Sequence, residues 1–372
     1  MESTVTKFAN FIEKSADIEI PDSTLHSAKL IVADCLGAIV GGMAEPEIRM
    51  LAESKGENLF EILDNNKKAT DESISFLFGT AGTVLEMDEG HQFAKGHPGM
   101  HVFPALLAAA RNKGCSGEEF LRAFIIGYDV GARIGLASNL NPKMHPHGTW
   151  GGLGAAASLA VLNKMNARDA SEYLNIVSSL TLATSRKTML EGATVRNSYT
   201  GISNQMAHVG LMLLKAGFTG ENDGIKSIFH GVASNKFDDK SAVELLGKRF
   251  EVSRNYFKLH ACCRYNHAAL DALWKIIEQH SEVKNINQIK KIEVQSYNLA
   301  AELSDQNPRN VLACKFSIPF AISTTLVNLD SGVLSFTEIM RTNKNIQNLC
   351  QKVTIVEDTT CLLYTSPSPR DS

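Results

Sequence analysis

The amino-acid sequence contains one dense run of acidic and histidine residues between two apolar segments. Three acids fall within Glu86–His91, and histidines recur at His91, His97 and His101. Histidine changes its charge near neutral pH and a neighbouring carboxylate tunes that change, so this run favours proton-transfer chemistry. The turn Gly96–Gly99 predicts that His97 stands on a stiff, exposed corner. The alternative is a solvated acidic loop with incidental histidines.

A second histidine-bearing segment, Met144–Trp150, precedes a stretch rich in glycine and alanine. Amide groups at a helix N-terminus attract anions, so Gly148–Gly152 is suited to hold a carboxylate. The pair His145 and His147 has the spacing of two metal ligands. The alternative for His145 is a histidine that only packs a turn.

Cationic side chains occur in two later segments, Thr194–Gly201 and Lys258–His267. Arg196, Lys258 and Arg264 are of the kind that binds carboxylates, and arginine can do so through two parallel hydrogen bonds. The alternative for all three is surface charge, which most lysine and arginine side chains carry.

Several well-known motifs do not occur in the sequence. No H-E-x-x-H or C-x-x-C pattern is present, and Pro98-Gly99 is expected to interrupt any helix that would place His97 and His101 on one face. Phosphate-binding glycine loops and the G-x-S-x-G elbow are also missing. These absences make a metal site a weak possibility, and a metal-dependent hydrolase that uses the histidines is kept as an alternative.

Composition limits the partners and the compartment. The formal net charge of −3 gives no basic field for nucleic acid. The apolar stretch Leu30–Val40 is broken by Asp34 and Gly37, so no membrane span is predicted. The seven cysteines do not have the spacing of metal ligands or of a disulfide framework. The N-terminus has no signal-peptide features. Both observations favour the cytoplasm. The mitochondrial matrix is the alternative, although no transit peptide is seen.

The elements that must position these residues are mostly helices. Helical periodicity, caps and small-residue content predict six helices. The first starts at Asp22 or Ser23 and ends at Gly41-Gly42, and the second opens with the capping box Ser116–Glu119. The others are Gly151–Leu162, Asn204–Ala216 (followed by Gly217), a helix that starts at Asn266 or His267, and Phe316–Leu329. Alternation over Ile292–Gln295 predicts a strand. The fold class is therefore mainly α, with a large helical domain at 1–257, a smaller α+β domain at 258–358, and an unstructured or foreign tail at 359–372.

Taken in order, these segments resemble the MmgE/PrpD family, which includes 2-methylcitrate dehydratases and cis-aconitate decarboxylases. The matching pieces cover residues 5–355 and are Asp34–Gly37, Glu86–His91, His97–Ala105, His145–Gly151, Gly217–Gly220, Lys258 with Cys262–His267, and Phe316–Phe320. The resemblance implies a helical domain with an α+β lid, an active site between them, and a homodimer. It also implies lyase or isomerase chemistry on a small di- or tricarboxylate, without a metal or organic cofactor.

The resemblance also places residues at the family's active-site positions. Glu86 or Asp88, His97, His145 and Lys258 fall on these positions. We expect His97 and His145 to transfer protons and Lys258 to hold a carboxylate and donate a proton. The sequence leaves open which histidine is the acid and which is the base.

The remaining predicted site residues are assigned to proton positioning and substrate binding. Asp88 is expected to orient an imidazole ring and completes the catalytic set. The expected substrate-binding residues are Glu86, His91, Arg196, Tyr199, Arg264 and His267.

Three positions depart from the family pattern. Arg196 stands where lysine is usual, Tyr199 where histidine is usual, and Gly90 where threonine is common. Arginine stays charged and so binds anions without shuttling protons. We therefore expect a related polycarboxylate or an isomerase reaction, with a non-catalytic family member as the further alternative. The resemblance fades near Val353, which predicts a truncated gene with an unrelated tail.

Overall fold

The computed structural model describes residues 2–64 and 69–360, and these form a mainly helical protein with a few short strands. The predicted fold class is confirmed. The helices, in chain order, are α1 Thr4–Glu13, α2 Asp22–Gly42, α3 Pro46–Ser54, α4 Leu59–Leu63, α5 Asp71–Val84, α6 Pro98–Lys113, α7 Gly117–Ala137, α8 Gly151–Leu162, α9 Ala167–Ser178, α10 Lys187–Leu190, α11 Tyr199–Lys215, α12 Gly224–Lys226, α13 Asp239–Val243, α14 Arg264–Gln279, α15 Asn298–Ala301, α16 Val311–Lys315, α17 Ile318–Asn328, α18 Glu338–Thr342 and α19 Lys344–Cys350.

The strands pair two at a time. They are β1 Gly90–His91, β2 Ser138–Leu140, β3 Ser234–Phe237, β4 Asn255–Tyr256, β5 Ile292–Ser296 and β6 Val353–Glu357. β1 pairs with β4 and β2 with β3 in antiparallel register, whereas β5 and β6 are parallel, with Ile292 opposite Val353. The short pair formed by β1 and β4 lies just ahead of His97, and His91 in β1 also pairs with Gly96, the residue directly before His97.

The described chain divides into two compact units. The first comprises residues up to Arg186 together with Val195–Phe257, and the second comprises Lys187–Thr194 and the described residues from Lys258 onward. The short segment that contains α10 thus groups with the second unit, which the sequence did not indicate. Of the predicted tail, residues 361–372 lie outside the described residues.

The core of the first unit is a set of helices packed at close range. α7 packs against α8, α5 packs against α11, and α6 contacts α5, α7 and α8. α5 and α11 approach so closely that a Cβ atom on Gly79 would lie 2.7 Å from the Cα of Gly201. Because small residues at such crossings have little or no side chain, the helix backbones can come into direct contact. This close packing brings the ends of α6, α8 and α11 together.

Local capping signals were predicted with mixed success. The capping box of Ser116 and Glu119 is confirmed, and Gly217 follows α11 with a positive φ of 85°, as a glycine in the C′ position should. The predicted cap of α2 by Asp22 or Ser23 is wrong, because Pro21 occupies that position and makes no side-chain cap hydrogen bond.

The other predicted elements are found with shifted ends. α11 begins at Tyr199 and α14 at Arg264, both earlier than the apolar periodicity indicated, because polar residues form their first turns. The predicted helix at Phe316–Leu329 is α17, and the predicted strand at Ile292–Gln295 lies within β5.

By length and composition, α2 is the one described helix that is long and apolar enough to cross a membrane. Asp34 and Gly37 interrupt the apolar run, although the helix itself continues through both residues, as predicted. Core helices of globular proteins pass the same test, and α2 packs on α5 and α6 while Asp34 accepts a hydrogen bond from the Glu89 amide at 2.8 Å. This finding alone therefore carries little weight.

The crossing of α5 and α11 predicts a large difference between two glycine substitutions. In Gly201→Ala the new Cβ would lie 2.2 Å from the Phe76 carbonyl oxygen and 2.3 Å from the Thr80 hydroxyl, so we expect the free energy of unfolding to fall by about 1–3 kcal/mol. In Gly37→Ala the Cβ meets no atom within 4 Å, so we expect a gain of about 0.5–1 kcal/mol from helix propensity. Urea denaturation of both variants checks this, and equal stabilities would contradict it.

Candidate active site

The segment between α5 and α6 supplies the acidic side chains of the site, beginning with Glu86. Glu86 has a left-handed backbone conformation with φ of 55°, which is uncommon for residues other than glycine. Its carboxylate is buried and forms an ion pair with the guanidinium of Arg196, which is itself 1% exposed. A buried charge needs such a partner, so the pair accounts for both residues being inside the protein.

His97 is paired with Asp88. Its Nδ1 lies 2.8 Å from Oδ2 of Asp88, whose side chain is fully buried. Nδ1 therefore carries the proton that is donated to the carboxylate, and in the uncharged tautomer the lone pair is on Nε2. This is the arrangement of a general base with an orienting carboxylate.

The predicted setting of His97 is wrong in one respect. The residue is only 8% exposed, because Pro98 begins α6 instead of interrupting a helix, and His97 occupies the N-cap position against the ring of His147. The expected exposed corner is a buried helix start.

His145 receives a hydrogen bond on one nitrogen from the backbone. Its Nδ1 accepts from the N–H of His147 at 3.0 Å, so the proton of the neutral ring is on Nε2. Arg196 Nε is also directed at that Nε2, at 3.5 Å. A neutral ring has only one acceptor nitrogen, and the shorter contact from the His147 N–H makes Nδ1 that acceptor, so the N–H groups of His145 Nε2 and Arg196 Nε are neighbouring donors. Burial first, and then the charge of Arg196, lower the pKa of His145 well below its usual value. His145 is thus a neutral ring that presents an N–H group beside a guanidinium.

Tyr199, the first residue of α11, lies next to this pair. Its ring centroid is 6.2 Å from that of His145, and its side chain is half-buried. All of the following predicted residues belong to the first unit, at or before the starts of α6, α8 and α11: Glu86, Asp88, His97, His145, Arg196 and Tyr199.

His91 was predicted to bind substrate, but both of its ring nitrogens face other protein groups. Nδ1 accepts from the Ala94 N–H at 3.0 Å, and Nε2 lies 3.2 Å from a carboxylate oxygen of Glu251. The ring is fully buried, and burial lowers its pKa. This geometry gives His91 a structural role, fixing β1 against the segment before β4.

His101 is likewise saturated by the protein. Its Nδ1 is 2.8 Å from the His97 carbonyl, and its Nε2 accepts from the Gly148 N–H at 3.2 Å. Burial first, with smaller contributions from its neighbours, lowers the pKa of His101 to about 4. Together with His97, His145 and His147 it forms a group that we call the histidine cluster.

The second unit has its own group of cationic and histidine side chains. Lys258 is 5% exposed, Arg264 is the exposed first residue of α14, and His267 lies on the same first turn. Burial first, then the charges of Lys258 and Arg264, lower the pKa of His267 to about 3. Because the first turn of α14 contains no acid, this helix N-terminus is positively polarised.

His260 lies beside this group and is held on both sides. One ring nitrogen is 2.6 Å from the Ser331 hydroxyl and the other is 3.1 Å from Asp271. Its ring contacts that of His267 edge-on at 4.9 Å. His260 therefore orients the part of the second unit that carries Lys258, a role that the sequence did not reveal.

Across residues 2–64 and 69–360, no three histidine, cysteine, aspartate or glutamate side chains are arranged so that they could hold a metal ion. The histidine cluster illustrates the reason. Its rings meet edge to face, and the nitrogens of His101 are already used by backbone groups.

Comparison with known families accounts for both units. Residues 6–242 match the MmgE/PrpD N-terminal domain, and residues 260–364 match the MmgE/PrpD C-terminal domain. The chain belongs to the MmgE/PrpD family.

Two curated members of the MmgE/PrpD family show how distant the relatives are. A cis-aconitate decarboxylase-like protein, oryM, of Aspergillus oryzae (strain ATCC 42149 / RIB 40) is 23% identical over 78% of this chain and 65% of its own length. The cis-aconitate decarboxylase of Aspergillus terreus (strain NIH 2624 / FGSC A1156) is 21% identical over 86% of this chain and 71% of its own length. The chain therefore spans a little under two thirds of the first of these relatives.

Within this MmgE/PrpD chain, Glu89 is a site residue that the sequence analysis left unassigned. Its carboxyl group is fully buried, accepts from the Gly99 N–H at 2.6 Å and accepts from the Tyr128 hydroxyl at 2.9 Å. Burial is the largest influence and raises the pKa of Glu89 to about 8. Glu89 thus fixes the start of α6 beside His97 as a neutral acid, and its place in the acidic run was the only sequence signal.

Glu251 and His147 were also missed. Glu251 is buried among Arg249, Arg254 and His91, and nothing in its local sequence marks it. His147 was noted only as one half of a possible metal-ligand pair, although its ring contacts those of His97 and His145.

The buried Glu89 predicts a specific pH dependence of stability. Its pKa in the folded protein, about 8, lies above the unfolded value of about 4.3, so the folded state binds more protons between these values and stability falls as pH rises through that range. We expect Glu89→Gln, which cannot ionise, to lose this fall. The difference in unfolding free energy between variant and parent should shift in favour of the variant by roughly 1–3 kcal/mol from pH 5 to pH 8.

Urea denaturation at several pH values between 5 and 8 measures this difference. The exposed residue Glu118, on the first turn of α7, supplies the control Glu118→Gln, whose difference from the parent should stay constant with pH. A constant difference for Glu89→Gln would show that Glu89 ionises normally.

Proposed function

We propose that this protein transfers a proton at the carbon next to a carboxylate of a small di- or tricarboxylate. The observation that carries the proposal is the His97–Asp88 pair, placed in the same cluster as a neutral His145 and the guanidinium of Arg196. The reaction is that of a lyase or isomerase: dehydration, decarboxylation or epimerisation. The chain's own side chains supply the acid–base groups in this proposal.

His97 is the base in this scheme. Its Nε2 lone pair takes the proton from the substrate carbon, and the C–H bonding electrons move toward the adjacent carboxylate to form an enediolate. Asp88, at 2.8 Å from Nδ1, stabilises the imidazolium that results. In a decarboxylation the proton moves the other way, from His97 to the substrate. The carbon that loses carbon dioxide keeps the bonding electrons and takes a proton from the His97 imidazolium.

His145 and Arg196 stabilise the negative charge that develops on oxygen. A neutral imidazole N–H is an effective hydrogen-bond donor to an enediolate, and the low pKa of His145 keeps the ring neutral. We therefore assign His145 to hydrogen bonding with the oxyanion, and not to the proton transfer expected from the sequence. Arg196 contributes a fixed charge, balanced by Glu86 in the resting protein, and the half-buried Tyr199 adds a hydroxyl group beside them.

Family membership and the names of the relatives support lyase chemistry of this type. The two Aspergillus proteins are named for the decarboxylation of cis-aconitate, a tricarboxylate. Arg196 in the place of a lysine argues for a related substrate, because an arginine holds an anion but does not exchange a proton. We also propose that Lys258, Arg264 and His267 bind further carboxylates. The homodimer and the cytoplasmic location remain predictions.

The assignment of His97 predicts that its replacement abolishes turnover. Purified protein is incubated in D₂O with citrate, cis-aconitate, 2-methylcitrate, isocitrate and tartrate, and water loss, carbon dioxide release and deuterium uptake are followed by NMR. We expect at least one compound to react, with kcat reduced by about 10²–10⁴ in His97→Gln. Asp88→Asn should reduce kcat as well, because the imidazolium loses its carboxylate.

The control for these variants is His26→Gln, since His26 is an exposed residue of α2 and its loss should leave the rate unchanged. Activity that survives EDTA in the parent protein separates the proposal from a metal-dependent hydrolase. No reaction with any compound, or full activity in His97→Gln, would refute the proposed function.

The cations of the second unit predict a separate pattern of kinetic changes. Arg264→Met should raise KM by roughly tenfold or more with little change in kcat, because a charged hydrogen bond to a carboxylate is lost. Lys258→Met should raise KM and lower kcat, and Lys258→Arg should restore KM only, since arginine binds an anion without donating a proton. Lys284→Met, at an exposed position of the same unit, is the control. An unchanged KM in Arg264→Met and Lys258→Met would remove both residues from the substrate site.

A further inference from the structure

The ring of His147 occupies the centre of the histidine cluster. Its centroid lies 4.5 Å from that of His97, 4.6 Å from that of His145 and 5.2 Å from that of His101, and all three contacts are edge to face. His147 is therefore the ring in the cluster that touches both the proposed base and the proposed oxyanion donor.

His147 differs from the other rings in the use of its nitrogens. His91 and His101 have both nitrogens matched to protein groups, and His145 has Nδ1 matched to a backbone amide. In contrast, Nδ1 of His147 is buried and has no hydrogen-bond partner among the described residues. A buried nitrogen without a partner is costly for a folded protein, and its presence in a site points to a group supplied by a ligand.

The backbone on either side of His147 is fixed, and the contacts with three neighbouring rings hold its side chain. The His147 N–H is used by His145, and the next N–H, of Gly148, is used by His101. Gly148 has φ of 83°, and a Cβ there would lie 2.9 Å from Leu182. The turn thus holds the His147 ring in one place without giving Nδ1 a partner.

The charges around His147 define the chemistry of a suitable ligand group. After burial, the largest influences on its pKa come from Arg196, His97, His145 and His101, and none of these four is an acid. Burial and these neighbours keep the ring neutral. In the tautomer with its proton on Nδ1, the ring is an uncharged donor that feels the charge of Arg196. A carboxylate oxygen is the group that gains most from both features.

We propose that His147 is a substrate-binding residue whose Nδ1–H donates a hydrogen bond to a carboxylate of the polycarboxylate substrate. This inference rests on the proposed function and adds to it a contact that selects the substrate. Exposure decreases from His97 (8%) through His145 (4%) to His147 (1%), so the carboxylate that reaches His147 is the most deeply buried one.

The test compares two replacements that differ at the position of Nδ1. The probe is propane-1,2,3-tricarboxylate, which has neither a hydroxyl group to eliminate nor a double bond, and its Kd is measured by calorimetry. In His147→Asn the side-chain amide places an N–H near the original Nδ1, so we expect a Kd within about threefold of the parent protein. In His147→Phe the ring is kept but the donor is lost, so we expect Kd to rise at least tenfold.

NMR of protein labelled with ¹⁵N in its histidines supplies a second measurement that does not depend on the variants. Adding the probe should shift the Nδ1 resonance of His147, which is assigned by its absence from His147→Asn. Equal melting temperatures of the two variants show that both fold.

The results of these experiments distinguish a failure of the His147 inference from a failure of the proposed function. If the probe binds and shifts His97 but leaves His147 unchanged, or if His147→Phe binds as tightly as the parent, the inference is wrong and the proposed function stands. If none of the tricarboxylates binds and none reacts, both are wrong.

Discussion

The run from Glu86 to His91 is polar, almost entirely buried, and held by partners from most of the first unit. Arg196 neutralises Glu86, His97 pairs with Asp88, and the start of α6 and a tyrosine of α7 share the carboxyl of Glu89. Each of these side chains would be costly to bury alone. The helices must therefore pack as they do for the run to be tolerated, and this packing brings the proposed base and the oxyanion donors into one cluster.

The chemistry of the cluster follows from keeping most of its histidines neutral. Buried imidazoles beside a guanidinium resist protonation, so His145, His147 and His101 hold no charge near neutral pH. Asp88 pairs with the ring of His97. In the proposed reaction, a proton taken from substrate is therefore best stabilised on His97, beside this carboxylate.

Much of the architecture could be predicted from residue patterns, but the contacts that define the site could not. The capping box at Ser116 and the alternation of β5 are local, and local patterns are visible in sequence. The partner of His91 is Glu251, far away along the chain, and no spacing rule connects such residues. For the same reason His91 was expected at the substrate, Glu89 was given no role, and His147 was considered only as a possible metal ligand. His97 was expected on the surface because the turn Gly96–Gly99 was read without the helix that begins inside it.

The turn that carries His145 and His147 determines ring chemistry with main-chain atoms. Two successive amides, of His147 and Gly148, donate to the rings of His145 and His101 and so determine which nitrogen of each ring bears hydrogen. Side-chain replacements in this turn leave those amide donors in place. Side-chain replacements around the cluster can therefore alter the shape and polarity of the site, and with them the preferred substrate. The positions of the protons on the rings of His101 and His145 stay the same, because main-chain amides determine them.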